Sequence, residues 1–269
     1  MSTDPNDIKR GNFGDFSRSL IKNDDGYQIL NDSKLPDRRI FTQKGNSPVV
    51  EYFEINPGDC GKVDGWDDCK EGRERAEIKE KESDIKLSKE YWYSWDFFIP
   101  KDIDLKVWPT KVCIGQFHQD KSNDFPCRKA SVIWMFQIAE HGGLYLDEQI
   151  TGKTRGYTQL ITHENLQKEW HNIIVHAKWS TENTGKFSVW VNGIPKANYE
   201  GITTTTGKPY FKYGLYRTKV NQYADENGIK GGTPKQSIYY ANVIRSSNLD
   251  GILSFNKNLE GYKELKVFP

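Results

Sequence analysis

Arg75-Ala76-Glu77-Ile78-Lys79, Gln116-Phe117-His118 and Tyr210-Phe211-Lys212-Tyr213-Gly214-Leu215-Tyr216 are the three stretches on which the fold of this chain turns. In an extended strand, residues i, i+2 and i+4 share one face. Arg75, Glu77 and Lys79 therefore line up together, Gln116 lines up with His118, and Lys212 with Tyr216. Ala76, Ile78, Phe117, Phe211, Tyr213 and Leu215 fall between them and suit a buried side. Three distant strands that turn cations, an amide, an imidazole and a phenol to one face imply a sheet with a polar, anion-binding groove.

The same alternation extends outward. Short apolar runs bounded by turn residues predict strands over 48–55, 73–79, 91–99, 111–118, 130–138, 143–146, 170–179, 185–191, 210–217 and 236–245. Asn192-Gly193 follows one of them and is a strong hairpin signal. A helical apolar period is confined to a short turn around Glu164–Lys168. Many strands and few helices predict an all-β fold: a β-sandwich jelly roll, concanavalin A-like, with a concave polar groove. No internal repeat or composition break divides the 269 residues. The expected organisation is a polar N-terminal arm over 1–20 and one domain over 21–269. Glu80–Asp84 and Lys219–Lys235 read as solvated loops, the second a candidate lid.

Composition narrows the partners. A net charge of +1 gives no global field toward nucleic acid or membrane, and no apolar run approaches the ~20 residues of a membrane span. Attraction for a polyanion must come from local clustering of Lys and Arg, and a monomer is expected. Aromatics make up 13% of the chain, with 8 Trp, and favour sheets and carbohydrate surfaces over helical bundles. Met1–Asp7 carries no apolar stretch, so it is not a signal peptide. Either a leader has been removed or the protein leaves its cell by another route, such as within a virus particle; a secreted or extracellular setting is expected.

Four cysteines allow three full pairings. Cys60 and Cys69 bracket a Gly/Asp-rich loop and are the disulfide candidate; neither they nor Cys113 and Cys127 have the spacing of a zinc site. Asp64, Asp67 and Asp68 could ligate a structural calcium or form a plain acidic turn. His171 and His176, five apart in a strand, point to opposite faces, and His141 and His163 sit in loop-like sequence.

The three polar stretches resemble a known family. Arg75–Lys79, Gln116–His118 and Tyr210–Tyr216 are similar, in order and type, to the Arg-x-Glu-Leu-Arg, Gln-Ile-His and Tyr-Phe-Lys-Ala-Gly-x-Tyr segments of jelly-roll alginate lyases. Tyr91–Trp95, Gly115–His118, Trp170–Trp179, Trp190–Gly193 and Phe211–Arg217 resemble elements of glucuronan lyases and heparin lyase I. The likeness covers roughly 50–245. Lys79 in place of Arg, Tyr213 in place of Ala, and Arg217 after the last Tyr are departures from the alginate pattern.

The resemblance implies a polysaccharide lyase that cuts a uronic-acid polymer (glucuronan, alginate or heparin-like) by β-elimination. The catalytic residues it implies are Tyr216, His118, Gln116 and Arg75. Lys212, Lys79, Glu77, Arg217 and Tyr210 would bind substrate, with Glu77 orienting Arg75 and Lys79. Gln116 and the Arg75 fork would neutralise the sugar carboxylate. Tyr216, its phenol pKa lowered by Lys212, would serve as acid and as base, or His118 would replace it as base. That chemistry calls for no cofactor. The competing expectation is a lectin-like sandwich that holds acidic glycans uncut, but binding alone needs neither His118 nor Tyr216. A laminarinase-type hydrolase would need paired carboxylates in a Glu-x-Asp-x-x-Glu run, which the chain lacks.

Overall fold

The computed structural model of the protein describes residues 9–10, 16–18, 27–30, 50–63, 66–80, 85–119, 132–150, 156–205, 209–229 and 232–255. Its first strands are β1 (Lys9–Arg10), β2 (Phe16–Arg18), β3 (Tyr27–Leu30), β4 (Val50–Ile55), β5 (Lys62–Val63) and β6 (Trp66–Asp67). β7 (Arg73–Glu80), β8 (Glu90–Phe98), β9 (Lys111–Gln119), β10 (Val132–Ile138), β11 (Leu144–Glu148) and β12 (Tyr157–Ile161) follow. The last are β13 (His171–Lys178), β14 (Gly185–Val191), β15 (Ile194–Gly201), β16 (Pro209–Thr218) and β17 (Gln236–Ser246). Three short helices, α1 (His163–Leu166), α2 (Val220–Asn227) and α3 (Leu249–Phe255), complete the described elements.

Two antiparallel sheets carry the fold. One runs β15-β14-β13-β8-β17-β4-β3, with β1 paired to β17; the other runs β12-β11-β10-β9-β16-β7-β2. Strand neighbours far apart in sequence, such as β7 and β16, are what a jelly roll produces, and the all-β sandwich expected from the alternation is what forms. Asn192 and Gly193 turn the β14–β15 hairpin, both at positive φ (50° and 76°), as a primed two-residue turn requires.

The core lies between the sheets. Trp95, Phe187 and Tyr240 from one sheet meet Phe117, Trp134 and Phe211 from the other, all at most 1% exposed. Trp134 stacks on Phe187 with centroids 4.1 Å apart, and Phe117 packs against Tyr93, Trp179 and Phe211. Full burial of a large apolar side chain stabilises the fold by about 1.5–3 kcal/mol, so this layer fixes which face of each strand turns outward. Ala76, Ile78, Phe117, Phe211, Tyr213 and Leu215 all point into it. Arg75, Glu77, Gln116, His118, Lys212 and Tyr216 must then lie on the opposite face of the seven-stranded sheet.

Several expectations need correction. Within the first twenty residues, read as a loose arm or edge segment, Lys9–Arg10 and Phe16–Arg18 add strands to the two sheets, β2 at an edge. The 219–235 segment contains helix α2, with Val220 and Tyr223 buried. Glu80 is not part of a solvated loop: it is 5% exposed and pairs with Arg245 at 2.5 Å. The short strands β1, β2, β3, β5 and β6 went unforeseen, and so did two longer ones. β12 has three exposed residues before two buried ones, and β15 alternates exposed with half-buried residues. Both are edge strands, whose apolar signal is weak because only part of each is covered.

One backbone device links core to site. Gly214 and Leu215 stand opposite the single residue Ile114, so the pairing of β16 with β9 shifts between Tyr213 and Tyr216, a bulge that sets where Tyr216 emerges. Gly214 sits at φ 117°, and a Cβ there would overlap the Ala76 carbonyl oxygen and come within 2.8 Å of the Phe53 ring. Gly214→Ala is therefore expected to lower the melting temperature by about 6 °C or more, combining a forbidden φ with a core clash. Thermal denaturation of the variant checks this, and an unchanged melting point would contradict it.

Candidate active site

Glu77 is the hub of the polar face. It is 1% exposed, and its carboxylate accepts bonds from three strands. Lys212 Nζ donates to Oε2 at 2.6 Å, Arg75 NH1 to the same oxygen at 3.4 Å, and the Gln116 amide nitrogen to Oε1. Glu77 reaches Gln116 and Lys212 because β16 lies between β7 and β9, with Lys212 opposite both Lys79 and Gln116. The partners of Glu77 are thus Arg75, Lys212 and Gln116, where the sequence suggested Arg75 and Lys79.

The bidentate fork expected of Arg75 is present, but the carboxylate it grips is the protein's own. Arg75 Nε and NH2 donate to the two oxygens of Asp68 at 2.6 and 2.8 Å. Asp68, fully buried, is held there by the loop that the Cys60–Cys69 disulfide closes. Backbone bonds from Asp68 to Gly61, from Arg73 to Asp68 and from Arg75 to Asp59 tie that loop to β7. The guanidinium also lies 4.4 Å above the Tyr216 ring, a cation–π contact. With its fork engaged by Asp68, Arg75 lies against Tyr216 and reaches Glu77 with NH1. Asp68 is a site residue that sequence reasoning left as an acidic turn. Its only early signal was its place inside the Cys60–Cys69 loop.

His118 completes the chain of contacts. Its Nε2 lies 2.9 Å from Gln116 Oε1, and its ring stacks on Tyr210 with centroids 5.5 Å apart. Because the Gln116 nitrogen faces the Glu77 carboxylate, its oxygen faces the imidazole. An amide oxygen only accepts, so the proton sits on His118 Nε2 and the lone pair on Nδ1. Nδ1 is shut off from solvent and has no hydrogen-bond partner among the described residues. Burial, aided by the charges of Lys212, Arg75 and Lys79, pulls the imidazole well below its ordinary pKa, so His118 is neutral.

Tyr216 is protonated. Burial pushes its phenol up to about 12, against the opposing pull of Arg75 and Arg73. The expectation that Lys212 would lower this phenol does not hold, since the opposing cations lie on β7. Burial also pulls the Lys212 ammonium down, while Glu77 holds it up. Among the described residues around His118 and Tyr216, the cations Arg73, Arg75, Lys79 and Lys212 outnumber the carboxylates of Asp68 and Glu77, with Asp147 further along the same sheet.

Arg217 is the expectation that fails outright. Next to Tyr216 on the strand, it faces the other way and is fully buried. Its Nε pairs with Glu74 at 2.5 Å and its NH1 donates to the Pro234 carbonyl at 2.6 Å. It braces the sheet from the core side. The calcium expectation finds little footing: Asp68 is committed to Arg75, Asp67 accepts from the Lys70 backbone, and Asp64 lies outside the described residues. Among the described residues, no group of three or more His, Cys, Asp or Glu is placed to hold a metal ion. Cys127 also lies outside them, and Cys113 is a buried thiol beside Met135 and Tyr216. A separate cavity of about 350 Å³ opens among β12, α1 and the β14–β15 hairpin, lined by none of the residues of the polar face. No helix among the described residues is long and apolar enough to cross a membrane.

Comparison with known proteins bears on the fold and the family. No curated protein sequence matches the chain. Among solved structures, it is similar to the endo-β-1,4-glucuronan lyase of the fungus Trichoderma reesei, at 18% identity and a TM-score of 0.56 over 87% of this chain and 93% of that one. It is also similar to alginate lyase A1-II′ of polysaccharide lyase family 7, at 12% identity and a TM-score of 0.51 over 78% of this chain and 84% of that one. At these identities the likeness speaks for the jelly-roll fold. The family model for polysaccharide lyases matches residues 11–244, most of the chain and all of the site described above, and the protein therefore belongs to the polysaccharide lyase family.

Proposed function

We propose that this lyase cleaves a polyuronate such as glucuronan or alginate by β-elimination, with His118 as base and Tyr216 as acid. The observation that carries this reading is the pairing of a neutral imidazole with a protonated phenol on the same polar face; the uncommitted Nδ1 lone pair is closed to solvent, so its neighbours must move aside for the C5 hydrogen to reach it. Elimination needs one group that takes the C5 proton and another that protonates the departing O4. The C5–H bond breaks, its electron pair forms the C4–C5 double bond, and the C4–O4 bond breaks as O4 receives the phenol proton.

The sugar carboxylate must be neutralised for C5 to become acidic. Lys212, the second amide hydrogen of Gln116, and Lys79 supply this, backed by the excess positive charge of the face. Tyr210, stacked on His118, offers a ring against which a sugar can lie. Charge neutralisation, base and acid all come from side chains, so the scheme invokes no cofactor. The Cys60–Cys69 disulfide suits an oxidising compartment, and we place the reaction outside the cytoplasm.

Replacing Tyr216 by Phe or His118 by Gln should each lower kcat on the cleaved polyuronate by about 10²–10⁴-fold, read as ultraviolet absorbance of the unsaturated product. Full activity in both variants would contradict the assignment. A wild type that binds polyuronate but yields no unsaturated product would point instead to a lectin-like role.

The pH profile follows from the two shifts. The base works only when unprotonated, so kcat/KM should rise through a pKa below that of free imidazole. The acid works only when protonated, so the alkaline fall should come near pH 12. A flat profile across neutral and mildly alkaline pH is expected. A half-maximal point at or above pH 7 on the acid side would contradict a depressed imidazole.

A further inference from the structure

The polar face does not end at His118 and Tyr216. Strand register continues the row of Lys212 and Gln116 to Met135 and then Asp147, and the row of Tyr216 and Cys113 to Gln137 and then Tyr145. Leu144 and Leu146 enter the core, so Asp147 and Tyr145 turn to the same side as the catalytic groups. Met135, Cys113 and Tyr216 pack together as a floor between the two regions.

Asp147 is fully buried and Gln137 is 2% exposed. One carboxylate oxygen, Asp147 Oδ2, accepts from the amide nitrogens of both Gln137 (2.9 Å) and Gln149 (2.7 Å). The other, Oδ1, and the amide oxygen of Gln137 have no hydrogen-bond partner among the described residues. A buried acceptor without a donor is costly. Two side by side, on the face that holds the chemistry, are unaccounted for by the fold alone.

The geometry points to a subsite in which Asp147 Oδ1 and Gln137 Oε1 accept hydrogen bonds from free hydroxyls of the sugar next to the one that loses its proton, so that the enzyme selects an unsulfated polyuronate. A hydroxyl supplies the missing donor. A sulfate ester at that position has no hydrogen to give and brings negative charge against a carboxylate. Both atoms are closed to solvent, and the half-buried Tyr145 and Gln149 that flank them must part for a sugar to reach them. This inference rests on the polyuronate lyase reading above and narrows it to unsulfated polymers, away from heparin-like ones.

Asp147→Asn is an informative change because the two amide donors fix its orientation. The Asn oxygen must face Gln137 and Gln149, which leaves its NH2 where Oδ1 now sits and turns an unpartnered acceptor into a donor. The experiment compares kcat/KM of wild type and Asp147→Asn on glucuronan and on glucuronan chemically O-sulfated at part of its hydroxyls. Wild type should prefer the unsulfated polymer by about 100-fold or more. The variant should lose about 10–100-fold on the unsulfated polymer and little on the sulfated one, so the preference collapses. A wild type that cleaves both polymers equally overturns the inference even if the variant fails to fold, and so does a variant whose losses on the two polymers are equal. If wild type cleaves no polyuronate at all, the lyase reading itself falls and takes this inference with it. Cleavage of glucuronan with an unchanged preference in the variant removes only the subsite.

Discussion

A single buried carboxylate organises this protein's chemistry. Glu77 carries a negative charge at 1% exposure, in a place where an unpaired ion would be strongly destabilising. It is tolerated because Lys212, Arg75 and Gln116 converge on it from three strands. Remove that convergence and two cations would face each other without a counter-charge. The same carboxylate also decides which way the Gln116 amide points, and through the amide, which nitrogen of His118 carries the proton. Stability of the face and readiness of the base thus depend on one interaction.

Support for Glu77 comes from further out. Asp68, held by the disulfide-closed loop, takes the Arg75 fork, so Arg75 remains planar above Tyr216 instead of collapsing onto Glu77. The Gly214 bulge sets the register at which Tyr216 leaves the sheet. Beneath, Tyr213 donates to both oxygens of Glu51 at 2.9 and 2.8 Å, anchoring the core side of the strand whose other side holds Lys212 and Tyr216. Base and acid are therefore placed by packing and paired charge, which keeps reorganisation small when charge develops during reaction.

Much of this was legible in the sequence, because alternation reports which side of a strand is buried. Ala76, Ile78, Phe117, Phe211 and Leu215 fixed the inner face, and the polar residues between them had one place left to go. What alternation cannot report is which partner a charge finds. Arg217 looked like one more cation of the groove, yet as Tyr216's immediate neighbour it had to face the core, where Glu74 receives it. Asp68 lay seven residues from Arg75 in an irregular loop, and nothing local marks such a pair. Asp147 and Gln137 lay in strands the sequence located at least in part, but their unmet hydrogen bonds emerge only when the strands of the sheet are laid side by side. The shifts of His118 and Tyr216 likewise come from burial, which a sequence does not state.

The most direct test is the protonation state of His118, read from the ¹⁵N shifts of labelled histidine side chains with His118→Gln to assign the signal. A neutral ring, protonated at Nε2 and bare at Nδ1 through pH 6–7, is the expected result. An imidazolium in that range, or a proton resting on Nδ1, would contradict the control that Glu77 exerts through Gln116.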